Sequence, residues 1–168
     1  MLIYNLILYT ISPYILIKLI IETIKRKSGI LFLAQRLGLR LRKSNESVIW
    51  IHAASVGEAR IALNVYKGLS RDLPNEKFLI TTNTSPSKLI IPEQDNLYHQ
   101  YMPVDWFLST QRMIKAINPK ICILIETELW PNLVSICKHK KIPILVANAR
   151  LSKKTINSPK FIRNIYRK

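Results

Sequence analysis

Glu58 is where a chemical reading of this chain begins. It stands in "HAASVGEA" (52–59), where an apolar run reaches His52, passes two alanines and breaks at Ser55-Val56-Gly57. Amide dipoles favour a carboxylate anion in the first turn of a helix, and a glycine beside it lets the backbone approach closely. Held near a hydroxyl, such a group can serve as a general base. The same turn could hold a phosphate instead, and an acid that merely opens its helix is the plain alternative. Two further acids, Glu126 and Glu128, bracket a threonine after an apolar run in "ETELWPN". Glutamates there do nothing for a strand, which makes them candidates for the same site. Asn148, Arg150 and Ser152 follow the last apolar run, and Thr81 to Ser85 follow the second. Asp105 and the threonines read more simply as helix caps and loop polar groups.

Something must bring these positions together. From Val48 onward, short apolar runs alternate with stretches of helical spacing. Strands are expected at 48–53, 77–82, 97–102 (the weakest), 121–126 and 142–149. Helices are expected at 57–73, 83–91 (short), 104–117, where Asn118-Pro119 ends the pattern, and 130–141, with Pro131 in the first turn. Such apolar strands separated by helices predict an α/β fold: a parallel sheet covered on both faces. Working residues of such sheets gather at the carboxyl ends of the strands, where all the candidates above fall.

The 168 residues suffice for one domain with a real core. A net charge of +16 predicts an anionic partner. No nucleic-acid-binding motif is present. Cys122 and Cys137 form neither a CxxC nor a zinc pattern. The first 21 residues, "MLIYNLILYTISPYILIKLII", carry one charge, Lys18, and have the length of a membrane-crossing helix. Lys25, Arg26, Lys27, Arg36, Arg40, Arg42 and Lys43 follow it. Basic residues after the apolar run, rather than before it, predict a retained anchor with the rest of the chain in the cytoplasm. The expected organisation is a membrane anchor at 1–23, a basic juxtamembrane helical segment at 24–47, a Rossmann-like domain at 48–152 and a basic tail at 153–168.

"HAASVGEA", "TTNTSPS", "YMPVD", "ETELWPN" and "VANARLS", in this order and spacing, resemble the N-terminal half of 3-deoxy-D-manno-octulosonic acid (Kdo) transferases. The match runs from about Arg36 to Ser152. It implies the N-terminal, acceptor-side Rossmann-like domain of a GT-B glycosyltransferase at the cytoplasmic side of the bacterial inner membrane. The implied reaction transfers Kdo from CMP-Kdo to the lipid A precursor with inversion, without cofactor or metal. By resemblance Glu58 is the general base. Ser55 and Gly57 shape its loop, Glu126, Glu128 and Asn148 line the cleft, and Arg150 contacts a phosphate or carboxylate. Lys25 to Lys43 are expected to face phosphates of the precursor and the anionic membrane.

Family enzymes continue into a second domain that holds most of the donor site. The expectation is therefore that this chain is inactive alone. It could be completed by a separate C-terminal polypeptide, be a truncated remnant, or be a small protein that binds lipid A precursors without chemistry. The rival readings are a membrane-tethered module that binds anionic lipid, and a GT-B transferase for another activated sugar.

Overall fold

The computed structural model describes residues 1–126 and 128–149. Three helices come first: α1 (Leu2–Thr10), α2 (Ser12–Lys25) and α3 (Gly29–Arg36). Strands and helices then alternate as β1 (Val48–Ala53), α4 (Val56–Asp72), β2 (Lys77–Thr82), α5 (Ser85–Lys88), β3 (Leu97–Tyr101), α6 (Phe107–Ile117), β4 (Pro119–Ile125), α7 (Pro131–His139) and β5 (Ile144–Ala147). All four strand pairings are parallel, in the order β3-β2-β1-β4-β5. The expected α/β sheet is present.

Side-chain alternation divides the core between two faces. Val48 and Trp50 of β1 join Cys122 and Leu124 of β4 beneath Met113, Ile114 and Ile117 of α6 and Leu133 and Ile136 of α7. Ile49 and Ile51 point the other way, with Phe78, Ile80 and Ile123, against Ala59, Ala62 and Tyr66 of α4. Each fully buried branched or aromatic side chain contributes about 1.5–3 kcal/mol. The same interior fixes which strand ends meet.

Several expected boundaries move. β4 begins two residues early, at Pro119, where a proline is tolerated as a strand's first residue. Asn118 closes α6 in the left-handed region, φ 46°. α5 is one short turn. β3, expected to be weak, is buried along its whole length, because the Gln35 side-chain oxygen accepts from Tyr101 N (2.9 Å) and that of Gln100 from Arg42 N (2.7 Å). β5 is shorter than expected, and its Leu145 and Val146 are exposed.

The N-terminal segment is two helices rather than the one expected. Among the described residues no single helix is long and apolar enough to cross a membrane, but α1 and α2 together are, bent by 54°. Pro13 lies in the first turn of α2, where its missing N–H costs nothing. A helix running straight through it would lose a bond and meet the ring. In the juxtamembrane segment α3 ends in a Schellman turn: Gly38 N bonds Gln35 O and Leu39 N bonds Ala34 O. Gly38 takes φ 74°, and a Cβ there would sit 2.8 Å from Ser109 Cα. The tail at 153–168 lies outside the described residues.

Candidate functional site

The first turn of α4 is a variant of the capping box, in which Glu58 takes the N–H of Ala54 rather than that of the N-cap Ser55. Ser55, in extended conformation, is the N-cap, and its hydroxyl accepts from Glu58 N at 3.3 Å. The same hydroxyl donates to Glu58 Oε1 at 2.7 Å, and Ala54 N donates to Oε2 at 2.8 Å. Glu58 is buried, with both carboxylate oxygens held. An ionised carboxylate has about four acceptor positions, so a further donor can still reach it. A Cβ on Gly57 would meet only Ser55 Oγ, at 3.9 Å. The turn itself does not require glycine, and the space beside its amides is open.

Across the carboxyl edge, Glu126 directly follows β4 with φ 61° while its N–H donates to Ala147 O at 2.8 Å. Glu128 follows on the segment leading to α7. Burial raises its carboxyl above the usual range, and the charges of Glu58 and then Glu126 push the same way, while the Trp130 indole opposes them. The structure thus brings three predicted acids into one electrostatic neighbourhood. Two carboxylates that repel favour one protonated partner. Asn148, exposed with φ 54°, follows β5 at the same edge. Arg150 and Ser152 lie outside the described residues, as does Thr127.

The threonines are structural. Thr81 Oγ1 accepts from Trp50 Nε1 at 2.8 Å and sits 2.9 Å from His52 Nδ1, and Thr82 Oγ1 is 2.8 Å from His99 Nε2. Burial holds both imidazoles neutral, with pKa values lowered to about 3; Arg36 adds to the effect at His52 and Lys88 at His99.

Asp105 is a cap, as expected, but for a distant helix. Its carboxylate accepts from the amides of Asn132 (2.9 Å) and Leu133 (3.0 Å) in the first turn of α7, and from the hydroxyls of Tyr4 (3.0 Å) and Thr110 (3.4 Å). Burial pushes its pKa up to about 6, against the pull of those four donors. Asp105 therefore fixes where α7 starts, and with it the segment carrying Glu128.

Arg36 departs from its expected place on a membrane-facing basic run. Its Nη1 donates to Asn83 Oδ1 at 2.9 Å and, through a short bond, to Met102 O. Burial lowers its pKa to about 10, partly offset by Glu22. The guanidinium thus pins α3 to the carboxyl ends of β2 and β3. Its place in the apolar run "LFLAQRLGL" was the only sequence signal. Arg42 likewise turns to the protein, 4.4 Å over the Tyr98 ring and 3.7 Å from Glu93.

The sequence profile of the family described as "3-Deoxy-D-manno-octulosonic-acid transferase (kdotransferase)" matches residues 32–168. A 3-deoxy-D-manno-octulosonic acid transferase of Haemophilus influenzae is 42% identical over 106 residues, 62% of this chain and 25% of that protein. One of Rickettsia bellii is 32% identical over 158 residues, 92% of this chain and 38% of that protein. A bifunctional glycosyltransferase/methyltransferase of Fusobacterium nucleatum is 32% identical over 111 residues, 64% of this chain and 17% of that protein. The chain thus spans well under half the length of these curated relatives.

Proposed function

The chain belongs to the 3-deoxy-D-manno-octulosonic-acid transferase family, and on that premise we propose that it is the acceptor-side domain of an inverting GT-B Kdo transferase. Its substrates are then the lipid A precursor and CMP-Kdo, and its place is the cytoplasmic side of the bacterial inner membrane. One observation carries this reading: Glu58, with its carboxylate fixed by Ala54 N and Ser55 Oγ, lies within electrostatic reach of Glu128 at the carboxyl edge of the sheet.

The acceptor hydroxyl attacks the anomeric carbon of Kdo. The bond from that carbon to the phosphate oxygen breaks, its electron pair leaves with cytidine monophosphate, and configuration inverts. The hydroxyl proton passes to Glu58. Ser55 holds Glu58 in place, so little reorganisation is needed when the hydroxyl arrives. Glu128, whose carboxyl is raised by burial and by the charge of Glu58, stands beside the base at the same edge. Glu126 and Asn148 line the acceptor cleft, and Arg150, outside the described residues, is the proposed contact to a phosphate or carboxylate. The donor phosphate is met by a second domain, in the same or a separate polypeptide.

The test is Kdo transfer to a lipid A precursor from CMP-Kdo, using membranes that contain the chain alone or together with the C-terminal domain of the Rickettsia bellii relative. Transfer is expected only with the added domain. Glu58→Gln should lower it by about 10²–10⁴-fold, the range for loss of a general base, with precursor binding unchanged. Full transfer by Glu58→Gln at equal expression would end the assignment of the base. One observation favours a second reading, a non-catalytic module that binds anionic lipid: the bonds from Ala54 N and Ser55 Oγ already occupy Glu58 as a purely structural acid. Under that reading Glu58→Gln costs about 1 kcal/mol of stability, and no pairing yields transfer.

A further inference from the structure

The N-terminal helices are amphipathic in reverse. The side chains of α1 and α2 turned towards the protein include Tyr4, Asn5 and Ser12, all hydrogen-bonding types, beside Leu8 and Leu19. Those turned outward are apolar: Leu2 is 84% exposed, Ile3 73% and Ile24 71%, with Leu6 and Ile17 also exposed. In water the stable arrangement is the opposite. A surface with polar groups inward, apolar groups outward and exposed cations Lys18, Lys25, Arg26 and Lys27 at the same segment matches the interface of an anionic phospholipid bilayer.

The inward bonds also decide how the segment meets the lipid. Tyr4 donates to Asp105 (3.0 Å), Asn132 Nδ2 to Asn5 Oδ1 (2.7 Å) and Trp106 Nε1 to Ser12 Oγ (2.8 Å). Leu8 and Leu19 pack with Val104 and Trp106. A helix pair that crossed the bilayer would carry residues 4 and 5 to its far side, about 30 Å away. Here they touch the α6 and α7 ends of the globular body. We propose that α1 and α2 lie within the one leaflet facing the body, docked side-on by these three hydrogen bonds, and do not cross the membrane. The lipid-seated helix then contacts Asp105 and Asn132, the groups that set the start of α7 beside Glu128. Membrane seating and the candidate site then share this contact.

The inference rests on the membrane-associated reading above, and the experiment separates the two. The full chain is mixed with sealed vesicles of phosphatidylethanolamine and phosphatidylglycerol and sedimented. Leu6→Asp with Ile17→Asp should lower the bound fraction at least tenfold while the circular dichroism spectrum is unchanged. A Leu2→Cys chain is then bound to vesicles with a membrane-impermeant maleimide either outside or trapped inside. Cys122 and Cys137 are buried, so the unsubstituted chain serves as the unlabelled control. No labelling from inside is expected, and a nitroxide at the same position should report a shallow depth in the outer leaflet. Binding with labelling from inside overturns the in-plane seat alone. Failure of the unsubstituted chain to sediment with vesicles overturns both the seat and the membrane-associated reading.

Discussion

Replacing Asp105 by alanine tests whether one buried carboxyl sets the start of α7. The variant leaves the amides of Asn132 and Leu133 without their acceptor. A buried donor left unpaired costs about 1–3 kcal/mol, so two of them give an expected loss of about 2–6 kcal/mol while the native carboxyl is neutral. The loss should depend on pH. The folded pKa is raised from 3.8 to about 6, so between these values the folded chain binds more protons than the unfolded one. Asp105 therefore stabilises the fold less as pH rises through that window. At about 1.4 kcal/mol per pH unit the whole gap is worth about 3 kcal/mol, of which about 1 kcal/mol falls between pH 5 and pH 7. Urea unfolding followed by circular dichroism in mild non-ionic detergent, at pH 5 and pH 7, measures it. The other titrating groups, His52 and His99 above all, cancel in the difference between the two chains. Asp105→Ala should be more destabilising at pH 5 than at pH 7 by about 1 kcal/mol. An equal loss at both values, or one that grows with pH, refutes the reasoning. The second outcome would mean that the four donors hold the carboxyl below its usual value, despite its burial.

Gly38→Ala puts a methyl 2.8 Å from Ser109 Cα at φ 74°. A left-handed alanine alone costs about 1–2 kcal/mol, so thermal unfolding should show at least about 2 kcal/mol lost, and no loss would mean that α3 can shift away from α6. His52 and His99 fold as neutral rings, with pKa values lowered from 6.5 to about 3. Their contribution is whole above pH 6.5 and is lost as pH falls towards 3. Acid unfolding should therefore begin below about pH 6, and His99→Gln should move its midpoint down by about half a pH unit or more; an unmoved midpoint would assign acid unfolding to other groups.

What the sequence by itself determined is local. The apolar runs placed β1 and β2 at their observed ends, because a strand buried on both faces needs an unbroken series of apolar side chains. Asn118-Pro119 ended α6 at the observed residue. Parallel pairing follows from the alternation of strand and helix, and it carried Glu58, Glu126, Glu128 and Asn148 to one edge. The Ser55–Glu58 cap was not read, although its three-residue spacing was there to find.

Other features depend on partners distant in the chain, and only the tertiary structure decided them. Asp105 caps a helix whose first amides lie 27 and 28 residues further along. Nothing near residue 105 could announce that, because a cap is identified by the amides that it meets. Arg36 reads as one more cation in a basic stretch until packing turns it onto Asn83 and Met102. β3 looks weak in isolation and is buried because α3 and the segment after it cover its edge. The N-terminal run reads as one straight helix because composition and length say nothing of which side faces the protein. Tyr4, Asn5 and Ser12 are a small polar minority among apolar residues. Their bonds to Asp105, Asn132 and Trp106 set the orientation of both helices, because a polar group buried beside the body is stable only where it meets its partner.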